Sequence, residues 1–206
     1  MRAERAPRID GRTARAHRTR AAILDALLDL IEEGSPQPTA LEVATRADVA
    51  LRSIRQHFES RESLFVAASQ RHAERMAAEA GPAPTARGKT RDRVARFVEA
   101  RARELEASSA LRRSATLREA TSAALTAALR GPARDRRREV ERVFARELGA
   151  IADGRGRASV LDAIDLVAGG RAWDALRRDL GRSRAEAERV MTTALLALCS
   201  VASRSK

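Results

Sequence analysis

An all-α protein of about nine helices is predicted for this chain, from three observations. Aromatic residues make up only 2% of the sequence, with no Tyr, against 44% hydrophobic residues in all. The core must therefore be built from Ala, Leu, Val and Ile, which suits closely approaching helices better than sheets with bulky strands. Apolar residues recur at spacings of three and four, and no stretch alternates with the period of two that marks a strand. Gly and Pro fall mostly between the periodic stretches, Gly149 and the pair Gly169-Gly170 being exceptions. At 206 residues a small domain and a larger one are expected. The apolar content excludes wholesale disorder.

Residues 1–17 carry Arg2, Arg5, Arg8, Arg12 and Arg15 with little apolar content and are expected to form a flexible basic arm. From Arg18 to Glu33, Ile23, Leu27, Leu30 and Ile31 fall at helical spacing, and Gly34 is placed to end the helix. Thr39 followed by Glu42 is a T-x-x-E capping box that starts a second, short helix ending at Ala47. Asp48 stands where the chain must turn, and Asp tolerates the left-handed backbone better than most residues. A third short helix is predicted over Leu51–Phe58. Ser60 can cap a fourth, whose apolar face is Leu64, Phe65, Ala68, His72 and Met76.

Gly81-Pro82-Ala83-Pro84 cannot sit inside a helix and marks a domain boundary, giving domains over residues 18–80 and 85–206. Beyond it, Val94, Phe97, Val98, Ala102 and Leu105 predict a fifth helix. Leu117, Thr121, Leu125 and Leu129 predict a sixth, stopped by Gly131-Pro132. Val140, Val143, Phe144, Leu148 and Ile151 predict a seventh, ended by Gly154 and Gly156. An eighth is expected from Ser159, with Asp162 three positions on, to about Gly181. Ser183 and Glu186 form a second capping box, opening a ninth helix through Val190, Met191, Ala194, Leu195, Leu198 and Val201. Gly169-Gly170 falls inside the eighth helix. Either it lets a second chain approach closely, or it breaks the helix in two.

The formal charge of +12 fits an anionic partner such as nucleic acid, although the basic excess concentrates in residues 85–157, with nineteen basic against ten acidic side chains. The single cysteine, Cys199, lies in an apolar run and reads as a buried structural thiol. No apolar segment of membrane-spanning length and no signal peptide is visible, so a cytoplasmic protein with no membrane partner is expected. His17, His57 and His72 are scattered without metal-ligand spacing, and neither a metal site nor a cofactor is expected. The chain has no Gly-rich phosphate loop, G-x-S-x-G or carboxylate pair with a plausible base, which argues against an enzyme.

Two short helices joined by a tight turn, just after a longer helix that can brace them, match a helix-turn-helix whose second member fits the major groove of double-stranded DNA. That second helix displays Arg52, Ser53, Arg55, Gln56 and His57. Arg can donate two hydrogen bonds to guanine and Gln can pair with adenine, whereas Ser and His more often hold phosphates. A short helix pair with Arg and Gln exposed is also what an ordinary solvated surface looks like, and the groove reading gains its weight from the whole block. Residues 18–69, and above all ATRADVALRSIRQHFESRESLF, resemble the DNA-binding domain of the TetR family. That resemblance implies an N-terminal three-helix DNA-binding domain and a C-terminal helical bundle. It further implies a homodimer joined by helices eight and nine, with an effector enclosed by helices five to seven. Carried over by position, Thr39, His57 and Arg61 would contact phosphates, and Ser53, Arg55 and Gln56 would face the groove. Three residues depart from the family pattern. Asp48 replaces the usual turn Gly, Ala50 the usual hydroxyl cap, and Arg55 a common Tyr.

For the C-terminal bundle, Phe97, Leu117, Phe144 and Trp173 are pocket candidates, because aromatic and branched side chains line most small-molecule cavities. Arg101 and Arg118 among them admit an anionic or amphipathic effector, though arginine runs are also simply solvated faces. Ala168, Gly169, Val190, Ala194 and Leu198 are candidate dimer contacts. The expected function is a one-component transcriptional repressor released from its operator by a small molecule. The alternative is a dimeric helical adaptor of the same fold without specific DNA binding.

Overall fold

The computed structural model describes residues 11–79, 81, 83–119 and 134–204. All regular structure among them is helical, as predicted. None of these helices is long and apolar enough to cross a membrane. The chain divides into two compact units, one of Met1–Arg75 with Arg113–Leu125 and one of Met76–Arg112 with Thr126–Lys206. Residues 113–119 thus leave their sequence neighbours and join the N-terminal unit, which a boundary at residues 81–84 does not anticipate.

In the first unit, α1 (Gly11–Glu32) buries Ile23, Leu24, Leu27, Leu28 and Ile31. The helix begins within the expected arm, and residues 11–17 are helical. Arg and Ala are strong helix formers and an apolar stripe is not needed where a helix end stands in solvent. Residues 1–10 lie outside the described residues. Gly34 ends α1 with φ +106, in a Schellman motif closed by Gly34 N–H to Ile31 O (3.2 Å) and Ser35 N–H to Leu30 O (2.9 Å). The short helices α2 (Ala40–Arg46) and α3 (Leu51–His57) follow, then α4 (Arg61–Glu79). Ser60 caps α4 as expected, its Oγ accepting from Ser63 N–H at 3.0 Å, while Ser63 Oγ accepts from Ser60 N–H at 3.1 Å.

Asp25 of α1 receives a fork from Arg71, with Nη2 at 2.7 Å and Nε also in contact, and a further bond from Arg75. The hydrogen bond from Arg71, helped by the charges of both arginines and opposed by burial, holds the Asp25 carboxyl below its ordinary 3.8. A carboxyl whose folded-state value is depressed stabilises the fold above the unfolded value and loses that stabilisation as pH falls through the folded one. Melting temperature is therefore expected to drop below about pH 4 more steeply in the native chain than in Asp25→Asn. Coincident acid profiles for the two proteins would show that this clamp contributes nothing.

The second unit is built from α5 (Thr90–Ala107), the start of α6 (Ser109–Glu119), α7 over 134–143, α8 (Ala145–Gly149), α9 (Gly154–Val167), α10 (Gly170–Asp174), a π-helical turn (Ala175–Asp179) and α11 (Arg184–Arg204). Its core joins α5, α9 and α11, with α11 packed on both of the others. Phe97 meets Phe144 edge to face at 5.2 Å between ring centroids. The remainder of the predicted sixth helix, with Thr121, Leu125, Leu129 and Gly131-Pro132, lies outside the described residues. Cys199 is buried, and burial pushes its thiol up to about 11, so it stays protonated and inert.

Several expected boundaries move. The eighth predicted helix starts at Gly154, not Ser159, because Asp153 is its N-cap, accepting from Gly156 N–H at 2.7 Å and Arg155 N–H at 3.2 Å. Gly154 and Gly156 sit in that first turn instead of ending the helix before it. The same predicted helix breaks at Gly169, which is extended (φ −84, ψ 158) and begins α10. At Gly170 the close approach comes from within the chain. A Cβ there would lie 2.6 Å from Arg112 Nε, whose guanidinium reaches Asp174 at 2.7 Å, Leu105 O at 2.6 Å and Ser108 Oγ at 2.7 Å. The Ser183–Glu186 box forms as expected, with Glu186 Oε2 accepting from Ser183 N–H at 2.8 Å. Beneath α8, Arg93 and Glu147 form a fully buried ion pair joined by Thr90 Oγ1, 3.0 Å from Glu147 Oε1.

Candidate nucleic-acid interface

The Thr39–Glu42 box sets the start of α2. Thr39 Oγ1 accepts from Glu42 N–H at 3.2 Å, and the Glu42 carboxylate accepts from Thr39 N–H at 2.7 Å. That bond to the Thr39 backbone, followed by one from its hydroxyl, holds the Glu42 carboxyl below its ordinary range. Thr39 is exposed at the very mouth of the helix. At the other end α2 closes in a second Schellman motif, through Asp48 N–H to Thr45 O (3.3 Å) and Val49 N–H to Ala44 O (3.0 Å). Asp48 occupies the position glycine normally takes and adopts φ 52, as the sequence led one to expect. Such a conformation costs a non-glycine residue about 1 to 3 kcal/mol, held here by the two flanking helices.

This turn delivers α3 with a fixed rotation. Ile54 and Phe58, four residues apart, are buried, and the guanidinium of Arg20 stacks 5.0 Å from the Phe58 centroid. The opposite face therefore carries Arg52, Arg55 and Gln56, all exposed and spaced three and four apart. Ser53 and His57 are half-buried on its flank, and the His57 ring lies 6.4 Å from that of Phe58. Ala50 caps α3 without a side-chain hydrogen bond. Arg61 stands exposed at the start of α4, with Nη2 bonded to Pro38 O at 3.1 Å, next to Thr39. The predicted set Thr39, Arg52, Ser53, Arg55, Gln56, His57 and Arg61 thus lies on α3 and on the two helix starts beside it. Leu51, 37% exposed at the first turn of α3, was not singled out from the sequence. Leu51 shares the helical phase of Ile54 and Phe58, and at the first turn of α3 it stays partly uncovered where they are buried.

The other candidates scatter. Phe97, Phe144 and Trp173 are buried in the core of the second unit. Trp173 Nε1 donates to Glu106 Oε1 at 2.9 Å, and Arg177 Nε donates to the same oxygen at 2.6 Å. Arg101 is buried with its guanidinium 5.3 Å from the Phe97 centroid and is paired with Glu104 at 2.9 Å and with Glu139. These side chains are packed against protein, so they act as core rather than as an open lining. Leu117 is 52% exposed and does not join them, and Arg118 belongs to the first unit, 4.8 Å from the Phe65 centroid. Of the dimer candidates, Ala168 is buried in the core of its own chain, which leaves it no surface to offer a partner. Val190 is 46% exposed, while Gly169, Ala194 and Leu198 are half-buried. Among the described residues no three His, Cys, Asp or Glu side chains are grouped so as to hold a metal ion.

No family model matches the chain, and no curated protein matches it. Solved structures do. A transcriptional regulator from Rhodococcus sp. Rha1 superposes with a TM-score of 0.66 at 20% identity, covering 91% of this chain and 97% of that one. A protein described as a transcriptional regulator from Streptomyces coelicolor superposes with a TM-score of 0.57 at 24% identity, covering 86% of this chain and 98% of that one. Helix-turn-helix, bundle and chain length together give this protein the fold of those two regulators.

Proposed function

We propose that the protein is a TetR-like, one-component transcriptional regulator that binds operator DNA through α3 and represses until a small-molecule effector releases it. The observation that carries this reading is the solvent face of α3. Arg52, Arg55 and Gln56 are presented together there on a helix whose rotation is fixed by Ile54, Phe58 and the Asp48 turn. A bidentate Arg reads guanine and Gln reads adenine, while Thr39, His57 and Arg61 stand where phosphates pass a helix-turn-helix. The two regulators with the same fold support the assignment to this class. The protein acts as a homodimer, since operator half-sites are read by two-fold pairs. Val190, Ala194, Ala197 and Val201 line the outward side of α11 at helical spacing, and Leu166 of α9 is 68% exposed. A stripe of that kind is what a four-helix interface buries.

The test is a titration of the purified chain against the DNA beside its own gene, at two salt concentrations and with unrelated DNA as competitor. Competitor-resistant binding that weakens steeply with salt is expected. Arg55→Ala should weaken it about tenfold to a hundredfold and relax preference at one base position, whereas Arg61→Ala should weaken binding to all sequences and flatten the salt slope by about one. Binding no better than to competitor DNA, or indifferent to Arg55→Ala, would move the assignment to a helical adaptor.

A further inference from the structure

The first unit carries a half-open cleft of about 410 Å3, with exposed Arg55, Glu59 and Arg61 along its rim. Small-molecule sites span about 300 to 1,000 Å3, so a compact organic ligand fits where a single water or ion would leave the space largely empty. Its apolar wall is made by Leu27, Val43, Ile54, Leu64 and Phe65, all buried. Three guanidinium groups, from Arg55, Arg61 and Arg118, share the lining with one carboxylate, Glu59. One side apolar and the other in cationic excess describes a site for a molecule that is itself apolar at one end and anionic at the other.

The arginines are held in place rather than hanging in solvent. Arg118 is half-buried against the Phe65 ring, with Nε 3.5 Å from Ser114 Oγ. Ser114 in turn donates to Pro36 O at 2.6 Å and fixes this part of α6 to the loop after α1. Arg61 is anchored to Pro38 O. Burial, together with the like charge of Arg61, makes Arg118 easier to deprotonate than usual, with Glu62 opposing. An added anion would offset both by favouring the charged guanidinium.

We propose that this cavity binds a small amphipathic carboxylate, an aromatic acid in the simplest case, with Arg118 and Arg61 taking the carboxylate and the apolar wall taking the ring. Because Arg55 and Ile54 of α3 line the same space, an occupied cavity draws on the helix that faces DNA. Ligand and DNA then compete for Arg55, and by linkage each weakens the other by the same factor. That coupling rests on the regulator reading. The site itself does not.

Calorimetric titration of the full chain with naphthoate, in the absence of DNA, tests the site. Saturable binding of one naphthoate per chain is expected. It should weaken about tenfold or more for the neutral naphthamide and for Arg118→Met, which keeps the apolar stem and removes the charge. Arg103→Met, an exposed arginine of the other unit, should leave it unchanged. Circular dichroism checks that Arg118→Met is folded, and if it is not, Arg61→Met carries the same expectation. No saturable binding, equal affinity for naphthamide, indifference to the arginine substitution, or equally tight binding of inorganic phosphate would each overturn the proposal. A chain that binds its promoter but not naphthoate sinks this site alone. One that binds naphthoate but no promoter sinks the regulator reading alone.

Discussion

Glu147→Ala is expected to lower stability by about 3 to 5 kcal/mol, because it strands the Arg93 guanidinium as an unpaired charge in the interior. Arg93 is 1% exposed and Glu147 5% exposed, so water cannot replace the lost carboxylate. Arg93 keeps only Gly88 O at 3.1 Å and longer contacts to Ala86 O and Thr90 Oγ1, which satisfy hydrogens without neutralising charge. For a chain of this length the loss corresponds to a fall in Tm of roughly 6 to 20 °C. Even in the native chain the pair is imperfectly satisfied, since Arg93 Nε and Glu147 Oε2 are buried with no hydrogen-bond partner. The double substitution Arg93→Met, Glu147→Leu removes both desolvation penalties at once and is expected to melt at or above the native temperature. Thermal melts of the three proteins decide it. A single variant as stable as the native chain, or a double variant less stable than the single, would contradict this account.

Val190→Glu is expected to convert the proposed homodimer into folded monomers. In a two-fold interface every substitution is met twice, so two carboxylates are forced together among apolar side chains. Each uncompensated buried charge costs several kcal/mol, and the doubled cost raises the dissociation constant by several orders of magnitude. The protomer itself should be nearly indifferent, because Val190 is 46% exposed and contributes little to its own core. Sedimentation velocity reads the first effect and a thermal melt the second. With dimerisation gone, affinity for a two-half-site operator should fall as well. A variant that sediments as the native protein does would remove this face of α11 from the interface.

What could be read in the sequence was local. Thr39–Glu42 and Ser183–Glu186 announce helix starts because the bonds they make close within three residues, and all of them form. Asp48 announces a left-handed turn for the same reason. Competition between nearby signals was harder. Gly154 and Gly156 look like a stop, yet Asp153 supplies the cap that makes them a start. Gly169 and Gly170 left two readings open, and the structure shows a helix break together with a close approach by Arg112. Contacts distant in sequence were not legible at all. Nothing in the spacing of α6 says that Leu117 faces solvent while Arg118 packs on Phe65, and without that contact the cavity lined by Arg55, Arg61 and Arg118 has no outline. The face of α3 stands between these cases, since buried Ile54 and Phe58 define it once the helix is placed.

The membership of residues 113–119 in the first unit bears on how the chain is made. A ribosome releases α1 to α4 long before α6, and at about 5 to 20 residues per second the wait is a few seconds. Throughout that interval the nascent unit lacks Ser114 on Pro36 O and Arg118 on Phe65. It can collapse around Ile23, Leu27 and Phe65, but the last wall of its cavity arrives only after the whole of α5 has been synthesised. Vectorial synthesis therefore leaves the first unit open on one side while much of the second unit is still unmade, and the two units mature in an interleaved order rather than one after the other.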